Sequence, residues 1–168
     1  MSEQPADFVK ILNVLTKHHV KFIVIGGLAA IYHGHNRVTF DIDICYQREA
    51  KNLDNLAAAL REMGATLRGA DRTLKFKLDA RTLKAGLNFT FDTKYGPFDM
   101  LGEVGGVGFY EDCDRHSEEG KISGHFVSIL SLDDLINAKK HAARAKDIDD
   151  LRALDALQDV KKRKRGGE

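Results

Sequence analysis

Asp41-Ile42-Asp43 is the stretch of this chain whose residue types and spacing are best suited to chemistry. Residues two apart on a strand point to the same face, with Cα atoms about 6.6 Å apart. Both carboxylates can therefore converge while Ile42 and Ile44 anchor the opposite face in a core. A third acid, Asp99, lies in a separate apolar run, Phe98-Asp99-Met100-Leu101. Three converging carboxylates with no fixed partner repel one another. Divalent metal removes that penalty, and Mg²⁺ in particular combines carboxylates with phosphate oxygens and water. Two such ions about 4 Å apart are the usual arrangement for in-line displacement at phosphorus. Alone, an Asp-x-Asp more often describes two strand acids facing water.

Gly26-Gly27 adds context. The pair closes an apolar run, Phe22-Ile23-Val24-Ile25, at the start of a helical stretch. There, backbone N–H groups can approach a phosphate with no β-carbon in the way; a plain tight turn is the alternative. Other candidates read as structural. Asp92 shares a strand face with Asn88 and Thr90, opposite Phe89 and Phe91, and is expected to be solvated. The seven histidines show no zinc spacing. Gly102, Gly105, Gly106 and Gly108 match no phosphate-loop pattern and read as a flexible loop. Cys45 falls on the face of the aspartates, but as a structural thiol.

The elements that must position these residues follow from periodicity. Phe8, Ile11, Leu12 and Leu15 predict an amphipathic helix over 7–19, and Val20 to Ile25 a buried central strand. Leu28 to His33 starts a helix, with small Ala29 and Ala30 against the sheet. Thr39 to Tyr46 alternates, with Phe40, Ile42, Ile44 and Tyr46 on one face and Thr39, Asp41, Asp43 and Cys45 on the other. A helix over 49–63 is stopped by Gly64. Three short strands are expected next, around Leu74-Phe76-Leu78, Leu87-Phe89-Phe91 and Pro97–Leu101, with a turn at Lys94-Tyr95-Gly96. A last strand fits 126–130. Ser131 with Asp134 predicts a helix N-cap, and helix continues through Leu157 with a break near Ala145. Strands and helices in this order suggest α+β or a mixed-sheet α/β fold.

Composition narrows the class. The 168 residues (18.7 kDa) are 43% hydrophobic and 30% charged, which excludes a disordered chain, a collagen or a coiled-coil rod. The longest uncharged stretch, 22–36, ends in His33-Gly34-His35-Asn36 and is too short to span a bilayer. Glu3 and Asp7 with no basic n-region argue against a signal peptide. Two cysteines give neither a disulfide framework nor a metal signature. A cytoplasmic protein without a membrane partner is expected. Net charge is +1, and residues 161–168 contribute five positive charges and one negative, leaving −3 for the remainder. That basic run reads as a solvated tail, or as added affinity for a polyanion such as RNA.

Taken together, Gly26-Gly27, a short helix, Arg37-x-Thr39-x-Asp41-Ile42-Asp43 and Gly96-Pro97-Phe98-Asp99-Met100-Leu101 resemble the nucleotidyltransferase superfamily. Its pattern is a glycine pair (often Gly-Ser), an Asp-x-Asp further on and a third Asp from a later strand. Lys139-x-x-Ala142-Ala143-Arg144-x-x-Asp147, with Asp150-Leu151 following, is similar to small stand-alone bacterial members that include abortive-infection toxins. The resemblance covers roughly residues 7–158. One departure is Gly27, which stands where many members hold phosphate with a serine hydroxyl.

The resemblance implies an α+β fold, a nucleotidyltransferase-like mixed β-sheet flanked by helices with a C-terminal helical segment. Residues 1–130 would form the catalytic core, 131–160 a helical segment packed on it and 161–168 the basic tail. Asp41, Asp43 and Asp99 would be the catalytic residues and would hold two Mg²⁺ ions, with Asp99 helping to deprotonate an acceptor hydroxyl. The reaction implied is attack on the α-phosphorus of an NTP with release of pyrophosphate. Nucleotide-binding residues would be Gly26, Gly27, Arg37, Thr39, Lys139, Arg144 and Lys146. Arg37 either contacts phosphate or pairs with an aspartate. Lys139, Arg144 and Lys146 either neutralise the triphosphate or form a solvated face paired with Asp147, Asp149 and Asp150. The acceptor expected first is an RNA 3′ end such as that of tRNA, with a protein or small-molecule hydroxyl as alternatives. A toxin with a neighbouring antitoxin protein is a further implication. The rival reading is a non-catalytic nucleotide-sensing or RNA- or protein-binding module on the same fold.

Overall fold

A computed structural model describes residues 5–71, 76–142 and 147–166. In chain order the elements are α1 (Phe8–Lys17), β1 (Phe22–Ile25), α2 (Gly26–Tyr32), β2 (Ile42–Tyr46), α3 (Ala50–Glu62), β3 (Thr66–Leu67), α4 (Ala80–Ala85), β4 (Asn88–Thr93), β5 (Gly96–Leu101), β6 (Glu103–Val104), β7 (Gly108–Phe109), α5 (Tyr110–Arg115), β8 (Glu118–Ile122), β9 (His125–Ile129), α6 (Leu132–Ala142) and α7 (Asp147–Gly166). Seven strands form one mixed sheet in the order β3-β4-β5-β2-β1-β9-β8, and β6 pairs with β7 in a small hairpin. The expected mixed sheet flanked by helices, with a C-terminal helical segment, is what the chain forms.

The apolar run of β1 is buried at all four residues, so both faces of the sheet centre are covered, as such a run requires. β1 runs antiparallel to β2 and parallel to β9, and β2 runs parallel to β5. Buried Asn52 from α3 fixes the register at one end of β1 and β2. Its Oδ1 accepts from the Lys21 N–H at 2.7 Å, and its Nδ2 donates to the Lys21 and Gln47 carbonyls at 3.1 and 2.7 Å. A buried side-chain amide satisfied in this way specifies alignment, and its hydrogen bonds offset the cost of desolvating it. The β4–β5 turn is as expected, with Gly96 at φ +108° and its missing Cβ 2.6 Å from Ala6 Cα.

Several expectations are corrected. β2 begins at Ile42, not Thr39, and Phe40 is 44% exposed and outside the core. The carbonyl of Phe40 accepts from the Ala6 N–H, at 2.8 Å, instead of from a neighbouring strand. No strand forms over 76–79; Asp79 caps α4 instead, accepting from the Thr82 N–H at 2.8 Å. Leu74 and Lys75 of that expected strand lie outside the described residues. The glycine loop 102–108 contains the β6 strand and the start of β7. β3, α4, α5 and β8 had no counterpart in the sequence reading. Residues 161–165, expected as a solvated tail, continue α7 as helix, and the Lys161 Nζ lies 3.0 Å from His33 Nδ1. Among the described residues no helix is long and apolar enough to cross a membrane.

Candidate active site

Parallel pairing of β2 with β5 sets Asp43 directly beside Asp99. Asp41, one residue before β2, completes the group: each of the three offers a carboxylate oxygen within 4.8 Å of the others. Ile42 and Phe98, buried on the other face, hold the backbone that aims them. Burial, the neighbouring Asp99 with which it hydrogen-bonds, and the charge of Asp41 push the Asp43 carboxyl up to about 7 against the pull of Lys139. Asp99 is also raised, by burial and by Asp41, although Arg68 draws it down. Two strand acids facing water would not behave so. Burial and the mutual repulsion of three clustered acids both disfavour the fully ionised set.

The glycine pair abuts this cluster. β1 ends at Ile25, which pairs with Asp43, and α2 begins at once. Gly26 has φ +65°, and a Cβ there would lie 2.2 Å from Asp43 Oδ2. Only glycine meets both the backbone and the space requirement. At Gly27 a Cβ would lie 2.8 Å from Thr39 Oγ1 and 3.0 Å from Thr39 Cβ. The Thr39 side chain thus fills the room that a serine at 27 would need. Its hydroxyl donates to the Asp41 carbonyl at 3.2 Å, tying the preceding loop to the first carboxylate.

Gly26, Gly27, Arg37, Thr39, Asp41, Asp43, Asp99 and Lys139 all line one open cleft of about 540 Å³. The structure thus brings together every sequence-predicted site residue except Arg144 and Lys146, which lie outside the described residues. Asp150 of α7, which follows the late-helix pattern of the family resemblance but carries no predicted site role, also lines it. Its Oδ1 meets His35 Nε2 at 3.0 Å, and its Oδ2 meets Arg37 Nη1 at 2.8 Å and Lys139 Nζ at 3.4 Å. Burial works against its ionisation, but the His35 hydrogen bond and the two cations hold the carboxyl below its usual range. Arg37 therefore pairs with an aspartate, though not one of the three in the cluster.

On the opposite flank stands Arg68, which no sequence signal singled out. From the residue after β3 its Nη2 lies 3.0 Å from Asp99 Oδ1 and donates to the Phe91 carbonyl at 2.7 Å, while its Nε meets Asp92 at 3.1 Å. Asp92 is 57% exposed in its side chain, solvated as expected but joined to the site through Arg68. The Cys45 thiol is buried, and its hydrogen bond with Cys113 together with burial pushes it up, which fits a structural thiol. His33 is buried, with Nε2 2.8 Å from the Leu130 carbonyl.

Comparison with known proteins gives the family. A family model described as aminoglycoside-2″-adenylyltransferase matches residues 7–154. A search of curated proteins returns no match. Three solved structures share the fold. The lincosamide antibiotic adenylyltransferase LnuA, lincomycin-bound, has a TM-score of 0.60 at 15% identity, over 92% of this chain and 99% of that one. ANT(2″)-Ia in complex with adenylyl-2″-tobramycin has a TM-score of 0.58 at 16% identity, over 92% and 89%. A Thermotoga maritima protein described as a nucleotidyltransferase has a TM-score of 0.54 at 15% identity, over 86% and 88%. The family match runs from the cap of α1 through the whole seven-stranded sheet and into α7, and the chain belongs to the aminoglycoside-2″-adenylyltransferase family of nucleotidyltransferases.

Proposed function

We propose that the cleft transfers a nucleoside monophosphate from an NTP to a hydroxyl of a small, polyhydroxylated acceptor, with Mg²⁺ held by Asp41, Asp43 and Asp99. The observation that carries this reading is the in-register placement of Asp43 beside Asp99, with Asp41 in reach and the Gly26 backbone against them. The residues fit the metal. Asp99 Oδ1 is buried without an aligned hydrogen-bond donor, and burial together with the charges of Asp99 and Asp41 pushes the Asp43 carboxyl up to about 7. An all-carboxylate set is the hard-oxygen environment that Mg²⁺ takes. When bound, the metal supplies charge neutralisation at phosphorus and a lowered pKa for the acceptor hydroxyl.

The chain's own residues divide the remaining work. Gly26 and Gly27 let backbone N–H groups approach the phosphates. Arg37 and Lys139, held together by Asp150, present positive charge to the triphosphate on that side of the cleft. Thr39 keeps the Arg37–Asp41 segment in place. Asp99 takes the proton of the attacking hydroxyl. The hydroxyl oxygen then bonds to the α-phosphorus as the bond to the β-phosphate bridging oxygen breaks, and pyrophosphate leaves. The family description and the antibiotics named with LnuA and ANT(2″)-Ia support a small-molecule acceptor. The basic stretch at the end of α7 favours an RNA acceptor as the second reading.

Incubating the purified protein with each α-labelled NTP and Mg²⁺, against a panel of aminoglycosides, lincosamides and other polyhydroxylated compounds and against total RNA, separates the readings. The expected result is label on a small molecule, lost with Asp41→Asn. Label on RNA would replace the acceptor assignment. Nucleotide binding without transfer to any acceptor would favour the sensor.

A further inference from the structure

The Arg68 contacts go beyond what the proposed transfer uses, and their geometry is unusual in one respect. β3 and β5 lie two strands apart, about 4.8 Å per step, with β4 between them. The Arg68 N–H donates to the Thr90 carbonyl at 2.9 Å, and Thr90 pairs with Asp99. The side chain therefore crosses β4 to reach the third carboxylate. Two of its contacts, to Asp92 and to the Phe91 carbonyl, are well-directed hydrogen bonds. The third, to Asp99, is not. Nη2 stands 3.0 Å from Asp99 Oδ1, yet that buried oxygen has no aligned donor among the described residues. Attraction there is one of charge rather than of a directed bond, and Arg68 stays anchored on β4 if it is given up.

We propose that Arg68 is the resident counter-ion of the third carboxylate: it neutralises Asp99 while the cluster is metal-free, and a divalent cation must take Asp99 from it, so that Arg68 sets how tightly the site loads its metal. The inference rests on the metal-binding reading of Asp41, Asp43 and Asp99. It follows from placement. Arg68 and an incoming cation compete for one carboxylate that is only 19% exposed, where solvent screens their competition poorly. Asp92, at 57% exposed, offers Arg68 a partner whose pairing in water contributes little, which keeps the guanidinium near the site without trapping it. Lys139 on the other flank is engaged by Asp150, so the two flanks differ: one cation is tied to an acid outside the cluster, the other to a member of it.

The test is Mn²⁺ binding to the full-length protein, followed by electron paramagnetic resonance of the free ion. Removing a partly screened competing charge in Arg68→Gln is expected to tighten Mn²⁺ binding by about tenfold. In the Asp99→Asn background the same substitution is expected to change affinity less than about twofold, because the competition is for Asp99. Equal or weaker binding by a folded Arg68→Gln protein would overturn the proposal. If that variant does not fold, Arg68→Lys carries the test, because a lysine from the same backbone position cannot hold Asp92, the Phe91 carbonyl and Asp99 together. Binding about threefold tighter is then expected, and unchanged binding would overturn the proposal. Wild-type protein that binds no Mn²⁺ would overturn the metal reading itself, a result distinct from wild type and variant binding alike.

Discussion

Asp43→Asn is expected to make the metal-free protein more stable at neutral pH while abolishing transfer. The Asp43 carboxyl titrates near 7 in the fold against an ordinary value of 3.8. A raised carboxyl pKa means that the folded state keeps its proton after the unfolded chain has lost it. Stability therefore falls as pH rises from about 4 to about 7, and the full penalty remains above that. Each unit corresponds to about 1.4 kcal/mol, so the penalty at pH 8 is at most about 4 kcal/mol and grows by at most about 3 kcal/mol between pH 5 and pH 8. Because Asp43 hydrogen-bonds with Asp99, which lies beside Arg68, about half of that growth is expected, or ~1.5 kcal/mol. For a chain of this length it corresponds to about 3–6 °C in Tm. The assay is thermal denaturation in EDTA at pH 5 and pH 8 for wild type and variant, repeated with Mg²⁺. The variant's advantage should be small at pH 5, grow by about 3–6 °C at pH 8 and vanish or reverse when Mg²⁺ stabilises only the wild type. An Asp43→Asn protein less stable than wild type by the same margin at both pH values would mean that the Asp43 charge does not destabilise the metal-free fold.

Gly26→Ala places a Cβ 2.2 Å from Asp43 Oδ2 on a backbone with φ +65°. Denaturation should show a loss of about 1–3 kcal/mol, and transfer should fall more than tenfold. Asp150→Ala removes the carboxylate that gathers His35, Arg37 and Lys139; steady-state kinetics should show KM for the NTP rising about tenfold with a smaller change in kcat. His33 is held below its usual pKa by burial, opposed by its bond to Leu130, with Lys161 adding to the lowering. A depressed histidine contributes stability that is present above pH 6.5 and lost as pH falls through the folded value. Wild-type Tm should therefore drop relative to His33→Gln between pH 7 and pH 5.

The site was legible where one element carries its own signal. Asp41 and Asp43 are read from strand parity, Asp99 from an apolar run and Gly26 from the end of a buried strand. Each of these depends on local spacing, and the register of β2 against β5 then brings them together. Arg68 was not legible, and Asp150 only as part of a family pattern, without its role in the site. Asp150 stands among other acids on a charged helix, and only the docking of α7 over the 33–39 loop separates it from them. Arg68 follows a two-residue edge strand too short for any periodicity, and its reach across β4 is a tertiary fact. The fold shows the same division. β1 is an apolar run and β9 buries alternate Val127 and Ile129, and both were expected, whereas β8, Glu-Glu-Gly-Lys-Ile at the sheet edge, buries only Gly120 and Ile122. Charged edge strands resist pairing with other chains, and the same residues hide them from a hydrophobicity reading. Phe40 failed in the other direction: it fits the alternation of 39–46, but the chain takes up strand geometry only from Ile42.

In the proposed reaction Asp41, Asp43 and Asp99 hold divalent metal against the phosphates of an NTP. A crystal grown with Mn²⁺ and a non-hydrolysable NTP analogue tests it directly through the anomalous signal of manganese. Anomalous peaks are expected among the three carboxylates, with the triphosphate lying towards Gly26, Gly27 and Lys139. Nucleotide bound instead in the groove lined by His116, Asp134 and Lys161, with no anomalous signal at the aspartates, would contradict it.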